Sequence, residues 1–141
     1  MPVRHPFSRS KREDDIVGDG WQGNMVVSVG GNDIRVEGGM GTEELLRRFK
    51  DMIKKVKAQC GRMVVCGILP RIYMGKWWNS CAMGVNHRLD SFCQDNDVTF
   101  LDTWDSFIHQ QWLYARDGIH LTRRGQENLS ERINEILGFG R

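Results

Sequence analysis

No stretch of this 141-residue chain is apolar for long enough to cross a bilayer. The N-terminus is basic, but no apolar run follows it, so it does not read as a secretory signal. Cysteine is sparse and unpatterned: Cys60, Cys66, Cys81 and Cys93 form no Cys-x-x-Cys pair and no zinc-type spacing. Strong charge of one sign is missing too. A net charge of +2 and a pI near 8.4 are too mild to argue for a nucleic-acid partner. Internal repeats and low-complexity segments are also absent. The chain therefore does not read as a membrane-spanning protein or a metal module. Reduced, buried thiols in a cytoplasmic protein are the expectation.

What is present fits one domain. Hydrophobic residues make up 40% and charged residues 27%, ordinary values for a soluble globular chain long enough to bury a core. Residues 1–24 carry charges and glycines with little periodicity and read as a tail, with the domain proper at 25–141. Arg4, Arg9, Lys11 and Arg12 gather in that tail; they fit a solvated terminus, with a phosphate-binding arm as the alternative.

Within the domain, Met25 to Val29 is a short apolar strand ended by Gly30-Gly31. Thr42 is placed to cap a helix, with Glu43 and Glu44 in its first turn and lysines at its end before Gly61. Leu45, Leu46, Phe49, Met52, Ile53 and Val56 fall on one helical face. Met63 to Ile68 is a nearly continuous apolar strand, as in a sheet covered on both faces. Pro70 opens a loop through Trp77, Trp78 and Ser80, and the next helix spans about Met83 to Gln94. Val98 to Leu101 is a third strand, and a last helix starts after Thr122. Strands alternating with helices predict a parallel sheet flanked by helices, with ligands beyond the carboxyl ends of the strands.

Two segments carry chemistry. Gly30-Gly31-Asn32-Asp33 follows the first strand, and Asp117-Gly118-Ile119-His120 precedes the last helix. His120 is a candidate general base, and Asp117, three residues before it, could hold its other ring nitrogen. Asn32 could aim its amide at a developing oxyanion, whereas Asp33 fits a tether of its own turn. In isolation each pattern is more often a turn or a capped loop. Their conjunction, in this order and after these elements, resembles the Gly-x-Asn-Asp and Asp-x-x-His blocks of the SGNH (GDSL-type) hydrolases. Gly67-Ile68-Leu69-Pro70-Arg71, Asn86-His87-Arg88-Leu89 and Leu121-Thr122-Arg123-Arg124-Gly125 extend the resemblance over about residues 25–137. In texture the chain is most similar to the short, basic variety from mobile-element open reading frames.

The resemblance implies a three-layer α/β/α fold of flavodoxin-like SGNH type and ester hydrolysis through an acyl-serine, without metal or cofactor. It implies His120 as base, Asp117 as its partner, and Asn32 with Gly30 and Gly31 at the oxyanion and substrate side. The substrate would be a small acyl ester, with no membrane partner. The family's Gly-Asp-Ser block, which bears the nucleophile, has no counterpart here. Gly18-Asp19-Gly20 imitates it with glycine in the serine position, and only four residues separate it from the first strand, too few for a parallel crossover. Ser28 lies in a strand, Ser8 and Ser10 in the tail, and Ser80 and Cys81 in a loop; none has an evident activating base.

The sequence thus predicts a hydrolase-like domain with little or no turnover and an N-terminally incomplete sheet. Its first strand would leave an unpaired apolar edge, inviting self-association through Met25 to Val29, or the chain would be the C-terminal part of a longer protein. The alternatives are a non-catalytic acyl-binding module and a mobile-element accessory domain touching nucleic acid through its tail.

Overall fold

The computed structural model describes residues 23–34 and 41–138. Three parallel strands form one sheet in the order β1 (Asn24–Ser28), β2 (Arg62–Cys66) and β3 (Thr99–Leu101). Met25 is in register with Met63, Ser28 with Cys66, and Cys66 with Leu101. Four helices accompany them: α1 (Thr42–Lys57), α2 (Gly75–Asp95), the single turn α3 (Trp104–Phe107) and α4 (Arg123–Leu137). A 3-10 turn at Gln111–Leu113 lies between α3 and α4. Among the described residues β1 pairs with β2 alone. The predicted tail, including Gly18-Asp19-Gly20, Ser8 and Ser10, lies outside the described residues except for its last two positions.

Strand alternation sorts the core into two layers. Met25, Val27, Met63 and Val65 face α1 and α2, where Leu46, Ile53, Trp78 and Leu89 meet them. Val26, Val64, Cys66 and Leu101 face the other way, onto Phe107, Leu113 and Leu129 and Ile133 of α4. This is the expected three-layer α/β/α arrangement. Near-continuous apolar strands are what a doubly covered sheet requires. Arg62 Nη2 closes the α4 side by donating to the Ile136 carbonyl at 2.9 Å, and Gly138 ends α4 with a φ of 84°.

Two local expectations need correction. The loop expected through Trp77 and Trp78 is helical: α2 begins at Gly75, not near Met83. Asn-Ser and the glycines weaken helix propensity there. However, Trp78, Ala82, Val85, Leu89 and Cys93 form one buried stripe, and packing of that stripe outweighs the local preference. Thr42 is the first helical residue rather than the cap. Gly41 holds the cap position, its carbonyl accepting from the Glu44 and Leu45 amides.

Candidate active site

The site is assembled at the carboxyl edge of the sheet from three connections. The first is the turn after β1. Val29 N–H still donates to the Cys66 carbonyl at 3.0 Å, and Ile34 N–H donates to that of Gly31 at 3.1 Å, closing a tight turn that carries Asn32 and Asp33. A Cβ on Gly31 would lie 2.5 Å from Trp78 Cζ2, so only glycine lets the turn rest on that indole. Among the described residues, a Cβ at Gly30 would meet nothing within 4 Å.

The second connection follows β2. Asn86, buried in α2, accepts from Ile68 N–H at 2.8 Å and donates to its carbonyl at 2.9 Å, satisfying backbone groups that have left the sheet. Asn79 does the same for Arg71, with both bonds at 3.0 Å. The Tyr114 hydroxyl donates to the Pro70 carbonyl at 2.6 Å. The side chain of Arg71 then projects from a backbone clamped on both sides. Its guanidinium lies 4.7 Å over the Trp78 ring, and its Nη2 donates to Asn32 Oδ1 at 2.7 Å.

The third connection is the loop before α4. Ala115 N–H donates to the His120 carbonyl at 2.7 Å, Gly118 N–H to that of Ala115 at 3.0 Å, and Tyr114 bridges Leu121. Gly118 turns with a φ of 70°, and its carbonyl accepts from Ile72 N–H at 3.0 Å, tying this loop to the second. Thr122 caps α4, its Oγ1 accepting from Gly125 N–H at 3.1 Å.

Inside this loop Asp117 Oδ2 lies 2.5 Å from His120 Nδ1, while Oδ1 accepts from the Ile119 and His120 amides at 2.8 and 2.9 Å. The His120 side chain and these backbone donors hold the Asp117 carboxyl at about 2, well below its ordinary 3.8. With Nδ1 occupied, Nε2 is the nitrogen left for proton transfer. The imidazole side chain is 81% exposed, so a ligand can reach it.

His120, Gly30, Gly31 and Arg71 border one groove of about 240 Å³ whose apolar wall includes Ile68, Leu121 and Leu129. Of the residues expected at the site, His120, Gly30 and Gly31 are thus brought together, and Asp117 stands behind His120. Asn32 is exposed and does not line the groove; it reaches the site through Arg71. Ser28 and Cys66 line the groove and share a side-chain hydrogen bond. Burial pushes the Cys66 thiol up to about 12, the Ser28 bond opposing it.

Arg71 is the residue that sequence reasoning missed. Its signal was its place, directly after Pro70 and just beyond the carboxyl end of β2, the edge where parallel sheets bind ligands. The tryptophan pair divides: Trp78 is fully buried core beneath the site, and Trp77 is 53% exposed. A larger depression of about 430 Å³, between α1 and α2, is lined by Glu43, Arg47, Lys50 and Phe92 and holds none of the site residues. Among the described residues no three His, Cys, Asp or Glu side chains gather as a metal site, and no helix is long and apolar enough to cross a membrane.

The family model described as GDSL-like lipase/acylhydrolase matches residues 5–127. No curated protein sequence matches. Among solved structures, the esterase domain of the ORF1 protein from the zebrafish ZfL2-1 retrotransposon is 30% identical, with a TM-score of 0.63. That match covers 82% of this chain and 72% of that domain. A putative acylhydrolase from Bacteroides fragilis is 21% identical, with a TM-score of 0.64, over 82% of this chain and 61% of its own. The acetylxylan esterase Axe2 from Geobacillus stearothermophilus is 12% identical, with a TM-score of 0.69, over 83% of this chain. The last two show a shared fold, and this chain spans only 61% and 60% of their lengths.

Proposed function

Because the chain belongs to the GDSL-like lipase/acylhydrolase family, we propose that its groove receives a small carboxylic ester and that His120 is the base that acts on it. The observation that carries this reading is the 2.5 Å pair between His120 Nδ1 and Asp117 Oδ2 at the groove rim. A neutral imidazole so held presents Nε2 to an attacking hydroxyl. As the hydroxyl oxygen bonds to the ester carbonyl carbon, its proton passes to Nε2, and ionised Asp117 stabilises the imidazolium. Collapse of the tetrahedral species returns that proton to the departing alcohol. Arg71, which Asn32 holds, and the Gly30-Gly31 turn form the side of the groove suited to the developing oxyanion.

The groove's size supports a short acyl group. At about 240 Å³ it is smaller than the roughly 300–1,000 Å³ of drug-sized ligand sites. Its wall of Ile68, Leu121 and Leu129 suits a hydrocarbon substituent beside the polar end.

The nucleophile decides how much turnover this arrangement supports. Ser28, a hydroxyl in the groove lining, is engaged with Cys66, and the Cys66 thiol is held protonated. With the described residues alone, water is the hydroxyl that His120 activates, and slow hydrolysis is expected. The same Ser28–Cys66 pairing favours, as the second reading, a pocket that binds an acyl group without cleaving it.

Hydrolysis of p-nitrophenyl acetate by the full chain is the test. The hydrolase reading expects measurable turnover that falls roughly 10²–10⁴-fold in His120→Ala and also falls in Asp117→Asn. Turnover unchanged in His120→Ala would reject it. Acetate binding without turnover would favour the binding reading. Labelling by a fluorophosphonate probe, mapped by peptide mass, would identify any serine that serves as nucleophile.

A further inference from the structure

Asn32 and Arg71 meet through one hydrogen bond, and its direction can be read from chemistry. A guanidinium has only donors, so the amide atom facing it at 2.7 Å is the oxygen, Oδ1. The amide oxygen is thus engaged with an arginine, and the Nδ2 donors that would serve an oxyanion belong to a side chain that does not line the groove. Asn32 is exposed and outside the groove lining, whereas Arg71 lines the groove. Among the described lining residues, Arg71 is the one permanent cation.

Arg71 is also unusually well fixed for a surface arginine. Its peptide is clamped on both sides by Asn79, its guanidinium stacks on the fully buried Trp78, and Asn32 Oδ1 takes one of its five N–H groups. Four donors remain, on a side chain whose rotamer freedom has been spent on packing against a core residue. A fixed donor fork that needs no rearrangement when charge develops is what electrostatic stabilisation of a transition state requires.

We infer that Arg71 is the side chain that meets the carbonyl oxygen in this groove, and that Asn32 acts as a positioning residue which orients it. The roles expected from the Gly-x-Asn-Asp pattern are thereby redistributed: the amide holds, and the guanidinium faces the charge. The ligand this arrangement recognises is a carboxyl group in its anionic form, either the tetrahedral oxyanion of an ester or the carboxylate released from it. The inference rests on the ester reading of the groove, and its test separates the two.

Acetate is titrated into the full chain and followed by the amide resonances of Gly30, Gly31 and His120. Turnover of p-nitrophenyl acetate is measured in parallel for wild type, Arg71→Met, Asn32→Ala and the double variant. Methionine keeps an unbranched apolar stem over Trp78 while removing every donor. The expected result is loss of the acetate-induced shifts in Arg71→Met and weaker, still saturable shifts in Asn32→Ala. In turnover, Arg71→Met falls by roughly 10²–10³, Asn32→Ala falls less, and the double variant matches Arg71→Met alone.

If wild type hydrolyses no ester, the hydrolase reading fails, and the acetate titration still decides the role of Arg71. Three results would overturn the inference. One is an absence of acetate shifts in wild type. Another is acetate affinity unchanged in Arg71→Met. The third is a turnover loss that is larger in Asn32→Ala than in Arg71→Met.

Discussion

Asp117 keeps its charge in acid where an ordinary carboxyl would lose it. Its folded value of about 2 lies below its ordinary 3.8, so the sign of the linkage is fixed. Whatever order the pairing with His120 contributes to the 114–121 loop is complete above pH 3.8 and is lost as pH falls toward 2. A carboxyl-carbon NMR titration of Asp117 should give a midpoint near 2, with the Ile119 and His120 amide resonances moving alongside it. A midpoint near 3.8 would mean that the pair does not hold in solution. Turnover lost between pH 7 and 4 then reports a group other than Asp117. At this scale the sequence was informative where contacts are local. Asp117 and His120 stand three residues apart, so their spacing announced their meeting. Arg71 and Asn32 stand 39 positions apart, and only the folding of α2 beneath both brings them together. No pattern within either segment carries that information.

Single elements show the same division between local and long-range causes. The alternation of strands with helices was readable because apolar runs and helical stripes are set within windows of a few residues. The start of α2 was not readable, since Trp78 belongs to the stripe only once a sheet lies under it. Gly31 and Gly30 are adjacent in the same turn but answer to different constraints. Gly31 is pressed against Trp78, whereas a Cβ on Gly30 would touch none of the described residues. Gly31→Ala must move either the turn or the indole and should lower stability by about 1–3 kcal/mol. Gly30→Ala should stay within about 0.5 kcal/mol of wild type. Urea unfolding of the two variants checks this, and equal midpoints would show that Trp78 gives way at no cost.

The described residues hang on three short strands. Each strand presents one set of side chains to the α1–α2 layer and the alternate set to the α4 layer, so neither layer has a sheet of its own. Two cores built on one shared set of backbones should melt together. Methyl resonances of Ile53 and Ile133, both fully buried and on opposite sides of the sheet, should lose intensity at one urea concentration. Separate midpoints would show that the layers are independent. Trp78 gives this unity a further meaning. One indole fills the middle of the α1–α2 layer, supports the turn at Gly31 and carries the guanidinium of Arg71. A lineage, or a laboratory library, that drifts at this position cannot trade core shape for chemistry one at a time. Every change there is a double change, and selection for a sturdier protein would act on the groove as well.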